Sequence, residues 1–371
     1  MSGWSRLSRR NKALLTVGVG AVSAGAVYGA KLLYESYQEY VRLEEEYEED
    51  QREQEEKQAS ENVETHFNSI QRICDSTTMP SMLPHMKENL LQLLDISPLT
   101  AKLTQAKHNV ISLSKEEKYA TWDELKLLSF SRTATATLSA TLLAVFLRVQ
   151  LNLLGRYLYL DSVLDRQKGG QPSLSKACQH KFLGYADFLV NRGLDDMAAI
   201  VRGTVEDTLS GLTLKSKLDR AQTSKLFVEI VQRVIKRVEK ESGWATLVLP
   251  DSKDVDRAPL TEGNTDASSS LPEDEAKLRN ILAETREVAE SPEFASVICA
   301  ASEASLQYLD CQIATLFQTE DETMPLPHLI PLIAQKSDPL LVTPNPLCPL
   351  LSQLPAVDAL CARLYSSPPK M

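Results

Sequence analysis

The sequence contains few of the residue patterns that mark a catalytic or metal centre. Its five histidines are scattered, with no H-x-x-x-H pair and no Cys/His cluster at metal-ligand spacing. It also lacks a phosphate-binding G-x-x-x-x-G-K-[ST] loop and a G-x-S-x-G nucleophile motif. These absences predict a protein that is not an enzyme and that uses no metal or other cofactor.

Glycine is scarce, with 14 residues in 371, and there is no regular series of short alternating strands. This balance favours helices and predicts an all-α fold. The six cysteines lie far apart without a C-x-x-C pair, and no N-x-[ST] glycosylation sequon occurs. In a chain of this length, both features predict reduced, mostly buried thiols in a cytosolic domain.

Negative charge is concentrated in one stretch. The formal net charge is −10, and residues 35–61 alone hold 12 acidic and 3 basic residues. Residues 1–12 carry Arg6, Arg9, Arg10 and Lys12 and no acid. A predominantly acidic chain lacks the basic surface that nucleic acids require, so we expect no nucleic-acid partner.

The N-terminal region has the composition of a membrane anchor. Residues 13–30 include no charge, and Leu32, Leu33 and Tyr34 extend the apolar run beyond Lys31. A helix needs about 20 residues to cross a bilayer, so we predict a basic tail over 1–12 and a transmembrane helix over 13–34. A cleaved secretory signal is the alternative, although its apolar core is usually shorter. The basic tail favours a cytosolic N-terminus, whereas the cysteines favour a cytosolic C-terminal domain.

The rest of the chain is predicted to form a charged helical stalk over 35–65 and a helical domain over 66–371. Residues 250–272 are polar and rich in turn-forming residues, which predicts a disordered insertion. Residues 324–355 hold eight prolines, so they are predicted to run in extended form over the surface. A short helix near 355–365 follows.

A long apolar helix is predicted from Trp122 to about Asp161, started by a capping box of Thr121 and Glu124. Its 15 uncharged residues between Arg132 and Arg148 could form a second membrane span. That stretch is short for a bilayer and rich in threonine and serine, so a buried core helix explains it better. Other helices are predicted over 79–95, from Ser97-Pro98, over 173–190, 194–212 and 214–241, from 273, and from Ser291-Pro292.

Several segments resemble the peroxisomal biogenesis factor 3 family. The similarity is strongest in TWDELKLLSFSRT and LLAVFLRVQLNLLGRYLYLD, and it extends to SMLP at 81–84, SPLTAKL at 97–103 and ETREVAESPEFASV at 284–297. The resemblance implies a twisted bundle of long helices in the cytosol, anchored in the peroxisomal membrane by a single span. It also implies docking of peroxin-19, the soluble receptor for new peroxisomal membrane proteins, through its amphipathic N-terminal helix.

The family's docking groove maps onto specific residues of this chain. Its tryptophan and neighbouring leucine correspond to Trp122 and Leu125, and the threonine and leucine of the adjacent helix to Thr100 and Leu103. The lysine before the tryptophan corresponds to Lys118. Tryptophan is a frequent hot spot where a helix lies in a groove. The alternatives are a tether that links the organelle to cytoskeletal or autophagy partners through the proline-rich segment, and a lipid-handling protein.

Overall fold

A computed structural model describes residues 42, 46, 49–54, 57–109, 111–168, 174–251, 272–319 and 321–368. The chain divides into two units between Thr65 and His66. In the first unit, the described residues are helical and almost all exposed, as expected for a charged helix. The predicted basic tail, the predicted transmembrane helix over 13–34 and residues 252–271 of the predicted insertion lie outside the described residues.

The second unit is built from helices of very different length. Its first residues, 66–73, are helical (called α1 here) and continue into a π-helical turn (Cys74–Thr78). There follow α2 (Met79–Leu93), α3 (Ser97–Lys107), α4 (Lys115–Lys168), α5 (Lys176–Gly184), α6 (Ala186–Phe188), a π-helical turn (Leu189–Gly193), α7 (Leu194–Leu209), β1 (Lys217–Leu218), α8 (Arg220–Glu241), α9 (Ala245–Val248), α10 (Pro272–Glu290), α11 (Pro292–Ala314), β2 (Met324–Pro325), α12 (Leu326–Gln335), a 3-10 turn (Asp338–Leu341), α13 (Leu347–Ser352) and α14 (Pro355–Ser366). The all-α prediction is confirmed. Within the described residues, the strands form only one short antiparallel pair, with Lys217 opposite Pro325.

Helix α4 is the centre of the second unit and contacts α2, α7, α11, α12 and α14. Among the described residues it is the one helix long and apolar enough to cross a membrane, and its apolar window is entirely buried in the protein. Its hydroxyl groups find partners inside the bundle: Thr133 donates to the carbonyl of Ile333 (2.8 Å), and Thr141 bonds Ser305 (2.7 Å). The interpretation of this segment as a core helix is confirmed.

Local sequence explains where several helices begin. Asp219 and Gln222 form a capping box at the start of α8. Ser291 accepts a hydrogen bond from the backbone of Phe294 at the start of α11, as the Ser-Pro pattern predicts. The predicted apolar stripe of α8 is buried, but the helix starts at Arg220 and not at 214, because Lys217 and Leu218 pair with β2.

The capping box predicted at Thr121 and Glu124 is wrong. Helix α4 starts seven residues before Trp122, where Ser114 and Glu117 match the same pattern and bond each other's backbone amides at 3.1 and 2.8 Å. Thr121 therefore lies inside the helix, and its hydroxyl donates to the carbonyl of Glu117 (2.7 Å). Glu124 instead pairs with Arg202 (2.7 Å).

The prediction that residues 324–355 run extended over the surface is also wrong. This segment contains α12, a 3-10 turn and α13. Proline is compatible with the first turn of a helix, and short helices between prolines lose few hydrogen bonds. Apolar residues at helical spacing are buried in the core and hold α12 in place: Leu326, Leu329, Ile330 and Ile333. The helix predicted near 355–365 is confirmed as α14.

Candidate docking groove

The five residues that the family resemblance selects lie in one groove. Thr100 and Leu103 of α3 and Lys118, Trp122 and Leu125 of α4 all line the same cavity, whose volume is about 470 Å³. The segment that joins α3 to α4 separates the two α3 residues from the three α4 residues along the chain. The structure therefore brings the selected residues together, while their binding role stays a prediction.

Helix α3 forms an exposed wall of this groove. Its start is fixed by Asp95, whose carboxylate accepts a hydrogen bond from the Ser97 amide (2.8 Å) and whose pKa is lowered by that bond. None of the residues of α3 is fully buried, and Leu103 is half-buried on the groove side. Thr100 donates its hydroxyl to the carbonyl of Ile96 (2.9 Å). Its hydroxyl is thus occupied by the helix itself, so the residue offers the groove mainly its methyl group.

The first turns of α4 supply the opposite wall and the floor. Trp122 and Leu125 are three residues apart and share one face of the helix. Leu125 is 2% exposed and forms part of the core, whereas Trp122 is only half-buried. Lys118 lies one turn earlier and is exposed at the rim. The capping box at Ser114 holds this end of α4 in helical form, so it indirectly fixes the positions of the groove residues.

Helix α12 provides a third wall that the sequence analysis missed. Pro327, His328 and Pro331 line the groove beside Trp122. These residues are more than 200 positions from Trp122 along the chain, and their segment was interpreted as extended. The apolar spacing of Leu326, Leu329, Ile330 and Ile333 is the signal that could have identified a helix there.

The groove has an apolar interior and a positively charged rim. Lys107 and Lys118 line it, and none of the described residues that line it carries a carboxylate. Glu117, next to Lys118 on α4, accepts a hydrogen bond from the backbone amide of Ser114, which lowers the pKa of its carboxyl. An open apolar trough with a cationic edge suits the binding of an amphipathic helix with acidic residues on its flank.

The groove contains no arrangement for nucleophilic or acid–base chemistry. His328 is exposed and the lining hydroxyls of Thr100 and Thr104 each bond a backbone carbonyl of their own helix. In the part of the chain that the structure describes, no group of three His, Cys, Asp or Glu side chains could hold a metal ion.

Comparison with known proteins gives consistent matches. The family model described as Peroxin-3 matches residues 108–367. Peroxisome biogenesis protein 3-2 of Arabidopsis thaliana is 29% identical over 368 residues, covering 94% of this chain and 96% of that protein. Peroxisomal biogenesis factor 3 of Bos taurus is 27% identical over 361 residues, covering 90% and 87%. The human protein of the same name is 27% identical over 358 residues, with the same coverage.

Proposed function

Because the chain belongs to the Peroxin-3 family of peroxisome biogenesis factors, we propose that it is the membrane docking receptor for peroxin-19. In this proposal the amphipathic N-terminal helix of peroxin-19 lies in the groove formed by α3, α4 and α12. The chain then takes part in the insertion of new peroxisomal membrane proteins. Its work is binding and release, without catalysis or a cofactor.

The observation that carries the proposal is the convergence of the five selected residues on one open groove. Its walls are helices, its interior is apolar, and its edge carries Lys107 and Lys118. These properties match the helix-in-groove mode of peptide recognition. Trp122 is half-buried in the free protein, so an incoming helix could bury the remainder of its ring, as is common for hot spots.

The proposed topology places the span over 13–34 in the peroxisomal membrane and residues 66–371 in the cytosol. The six cysteines support it, since all are free and Cys74, Cys178, Cys348 and Cys361 are buried. Free thiols are typical of proteins on the reducing side of a membrane.

The tether alternative relied on an extended proline-rich segment that could serve as a ligand for other proteins. Residues 326–335 instead form α12, whose Leu326, Leu329 and Ile330 are buried. Since α12 is both a core element and a groove wall, its removal would disrupt the bundle. Residues 326–335 therefore do not provide the extended ligand that the tether alternative requires.

Fluorescence of Trp122 provides the direct test. The full chain is placed in lipid nanodiscs with Trp4→Phe and Trp244→Phe, so that Trp122 is its sole indole, and titrated with the N-terminal helix of peroxin-19. We expect a blue shift as the ring is buried. By calorimetry, Trp122→Ala should lower the affinity at least about tenfold, or about 1.4 kcal/mol.

Two controls sharpen this experiment. Leu350→Ala removes an exposed apolar side chain (38% exposed) that does not line the groove, and should leave the affinity unchanged. Leu103→Ala should weaken binding with little loss of fold stability, because Leu103 is only half-buried. If neither Trp122→Ala nor Leu103→Ala weakens tight binding, the peptide binds at another site. If the chain is folded but does not bind the peptide, the docking function is wrong.

A further inference from the structure

A second groove lies on another face of the bundle, between α8 and α11. Its volume is about 620 Å³, and it shares no lining residue with the groove around Trp122. The two helices are antiparallel here, because Arg220 and Ser224 at the start of α8 bond Asp310 near the end of α11, the former at 2.8 Å. On α8 the lining residues run from Ser224 to Ile235, which corresponds to about 16 Å of helix.

The floor of this groove carries an unpartnered polar group. Ser302 lines the groove and is 1% exposed, yet its hydroxyl has no hydrogen-bond partner. Ser305, one turn along, shows the contrast: its hydroxyl donates to the carbonyl of Ala301 (2.9 Å) and bonds Thr141. Leaving a buried hydroxyl unsatisfied is unfavourable, and a bound molecule that offers a donor or acceptor would relieve it.

The walls on either side of Ser302 are apolar. Val231 and Leu306 are nearly buried, but Val228 is 38% exposed, one of the few large apolar side chains of the described surface that is so accessible. Together they form a hole between two helices, of the kind that a side chain from a third helix fills.

Charge is unequal along the groove. At one end, Lys225 lines the groove and Asp310 is already paired with Arg220. At the other end, Glu303 lines the groove, and Glu239 lies nearby without lining it. Burial, followed by these two carboxylates, raises the pKa of the Cys299 thiol. Neither carboxylate has an ion partner among the described residues. This end of the groove is therefore negative and would attract a cationic group.

We propose that the α8–α11 groove docks a basic amphipathic helix of a partner protein, about three turns long. Its apolar stripe covers Val228 and Leu306, a hydrogen-bonding side chain near its centre pairs with Ser302, and a lysine or arginine faces Glu303. The length of the groove sets the number of turns, the unpartnered hydroxyl sets the central residue, and the carboxylates set the charge. This site is independent of the proposed peroxin-19 groove.

Three fluorescent 14-residue peptides test the proposal on the full chain in nanodiscs. The first has a leucine stripe, a central asparagine and lysines only at the end that faces Glu303; the second has glutamates in place of the lysines; the third is a scrambled version of the first. Anisotropy should show that the lysine peptide binds at least about tenfold more tightly than either of the others. Glu303→Gln should reduce the preference for lysine over glutamate.

Val228→Asn should weaken binding of the lysine peptide about tenfold, while Val342→Asn, at a site 40% exposed and outside the groove, should not. Ser302→Ala should weaken it about three- to tenfold yet leave the melting temperature unchanged or higher, because the orphan hydroxyl is removed. Trp122→Ala should have no effect, which separates this site from the peroxin-19 groove.

Several results would overturn the proposal. They are equal binding of the lysine and glutamate peptides, binding that Val228→Asn does not reduce, and no binding to a chain whose melting temperature shows it folded. Sedimentation of the peptide-free chain gives a further check. Self-association that Val228→Asn abolishes would show that a second copy covers the groove.

Discussion

The guanidinium of Arg156 and the carboxylate of Glu284 form an ion pair in the core, with 2.6 Å between Nη2 and Oε2. The side chains are 3% and 8% exposed. Arg156 also donates through Nη1 to the carbonyls of Leu364 (3.3 Å) and Ser367 (3.2 Å) at the end of α14. One side chain of α4 thus joins α10 and α14.

We expect Glu284→Ala to lower the free energy of unfolding by about 3–5 kcal/mol, because it leaves a buried guanidinium without its counter-ion. Glu293→Ala is the matched control, since Glu293 pairs with Arg363 at the surface, where exposed ion pairs contribute about 0–1 kcal/mol. Chemical denaturation of both variants measures the difference. Equal losses would show that burial does not govern the strength of the Arg156 pair.

The helix cap at Ser114 should affect docking as well as stability. Ser114→Ala removes the side chain that accepts from Glu117 N, which costs about 1 kcal/mol of stability and loosens the turn that carries Lys118. Ser291→Ala removes the equivalent cap of α11, far in sequence from the groove. We expect similar losses of stability from both variants, but weaker binding of the peroxin-19 helix only for Ser114→Ala. Calorimetry and thermal unfolding give the two readouts.

Stability should decline with acid through His66. Its Nδ1 lies 2.6 Å from the hydroxyl of Tyr365, and burial lowers the pKa of its imidazole below 6.5. As the pH falls, the imidazole is therefore protonated near pH 6.5 in the unfolded chain but only at lower pH in the folded chain. Folding stability is lost as the pH falls through and below 6.5. Burial, with a smaller effect from Tyr159, raises the pKa of Tyr365 to about 12. This phenol therefore stays neutral at the pH values at which His66 titrates.

Thermal unfolding between pH 7.5 and 5.5 measures this effect, and His66→Asn should flatten the slope. His85→Asn serves as the control because His85 is exposed on α2. The same slope in wild type and His66→Asn would show that another group is responsible.

The thiols should differ greatly in reactivity. Burial raises the pKa of Cys74 and Cys361 to about 12 and that of Cys348 to about 11, whereas Cys311 is exposed. Since the thiolate is the reactive form, a maleimide at pH 8 should modify Cys311 first and the three buried thiols only after unfolding. Mass spectrometry of timed digests provides the order. Early modification of Cys74 in the folded chain would contradict its burial in the core.

Much of the helical pattern could be predicted because local signals determined it. Ser291-Pro292 predicted the start of α11, and the spacing of Phe227, Ile230 and Val234 predicted the buried face of α8. The start of α4 was misplaced because two Ser/Thr-x-x-Glu patterns lie seven residues apart. Propensity alone cannot decide between them, and the helix extends to the earlier one, at Ser114.

The groove could be predicted only in part. Trp122 and Leu125 lie on one helix, and the family resemblance supplied Thr100 and Leu103 from the preceding one. The wall formed by Pro327 and the residues after it depends on contacts between distant segments, which no local pattern specifies. The number of prolines led to the wrong prediction of an extended segment, because burial of the apolar face of α12 outweighs the loss of the hydrogen bonds that proline cannot form.

The length of α4 sets the distance between the proposed docking groove and the start of the second unit. Trp122 and Tyr159 are 37 residues apart on this one helix, which is about 55 Å along its axis. Tyr159 packs against His66, the residue at which the second unit begins. A flexible linker needs roughly 100 residues to have a root-mean-square reach of that size. Under the proposed docking function, a partner bound at Trp122 would need a disordered arm of about that length for another part of it to reach the Tyr159 end of α4 without stretching.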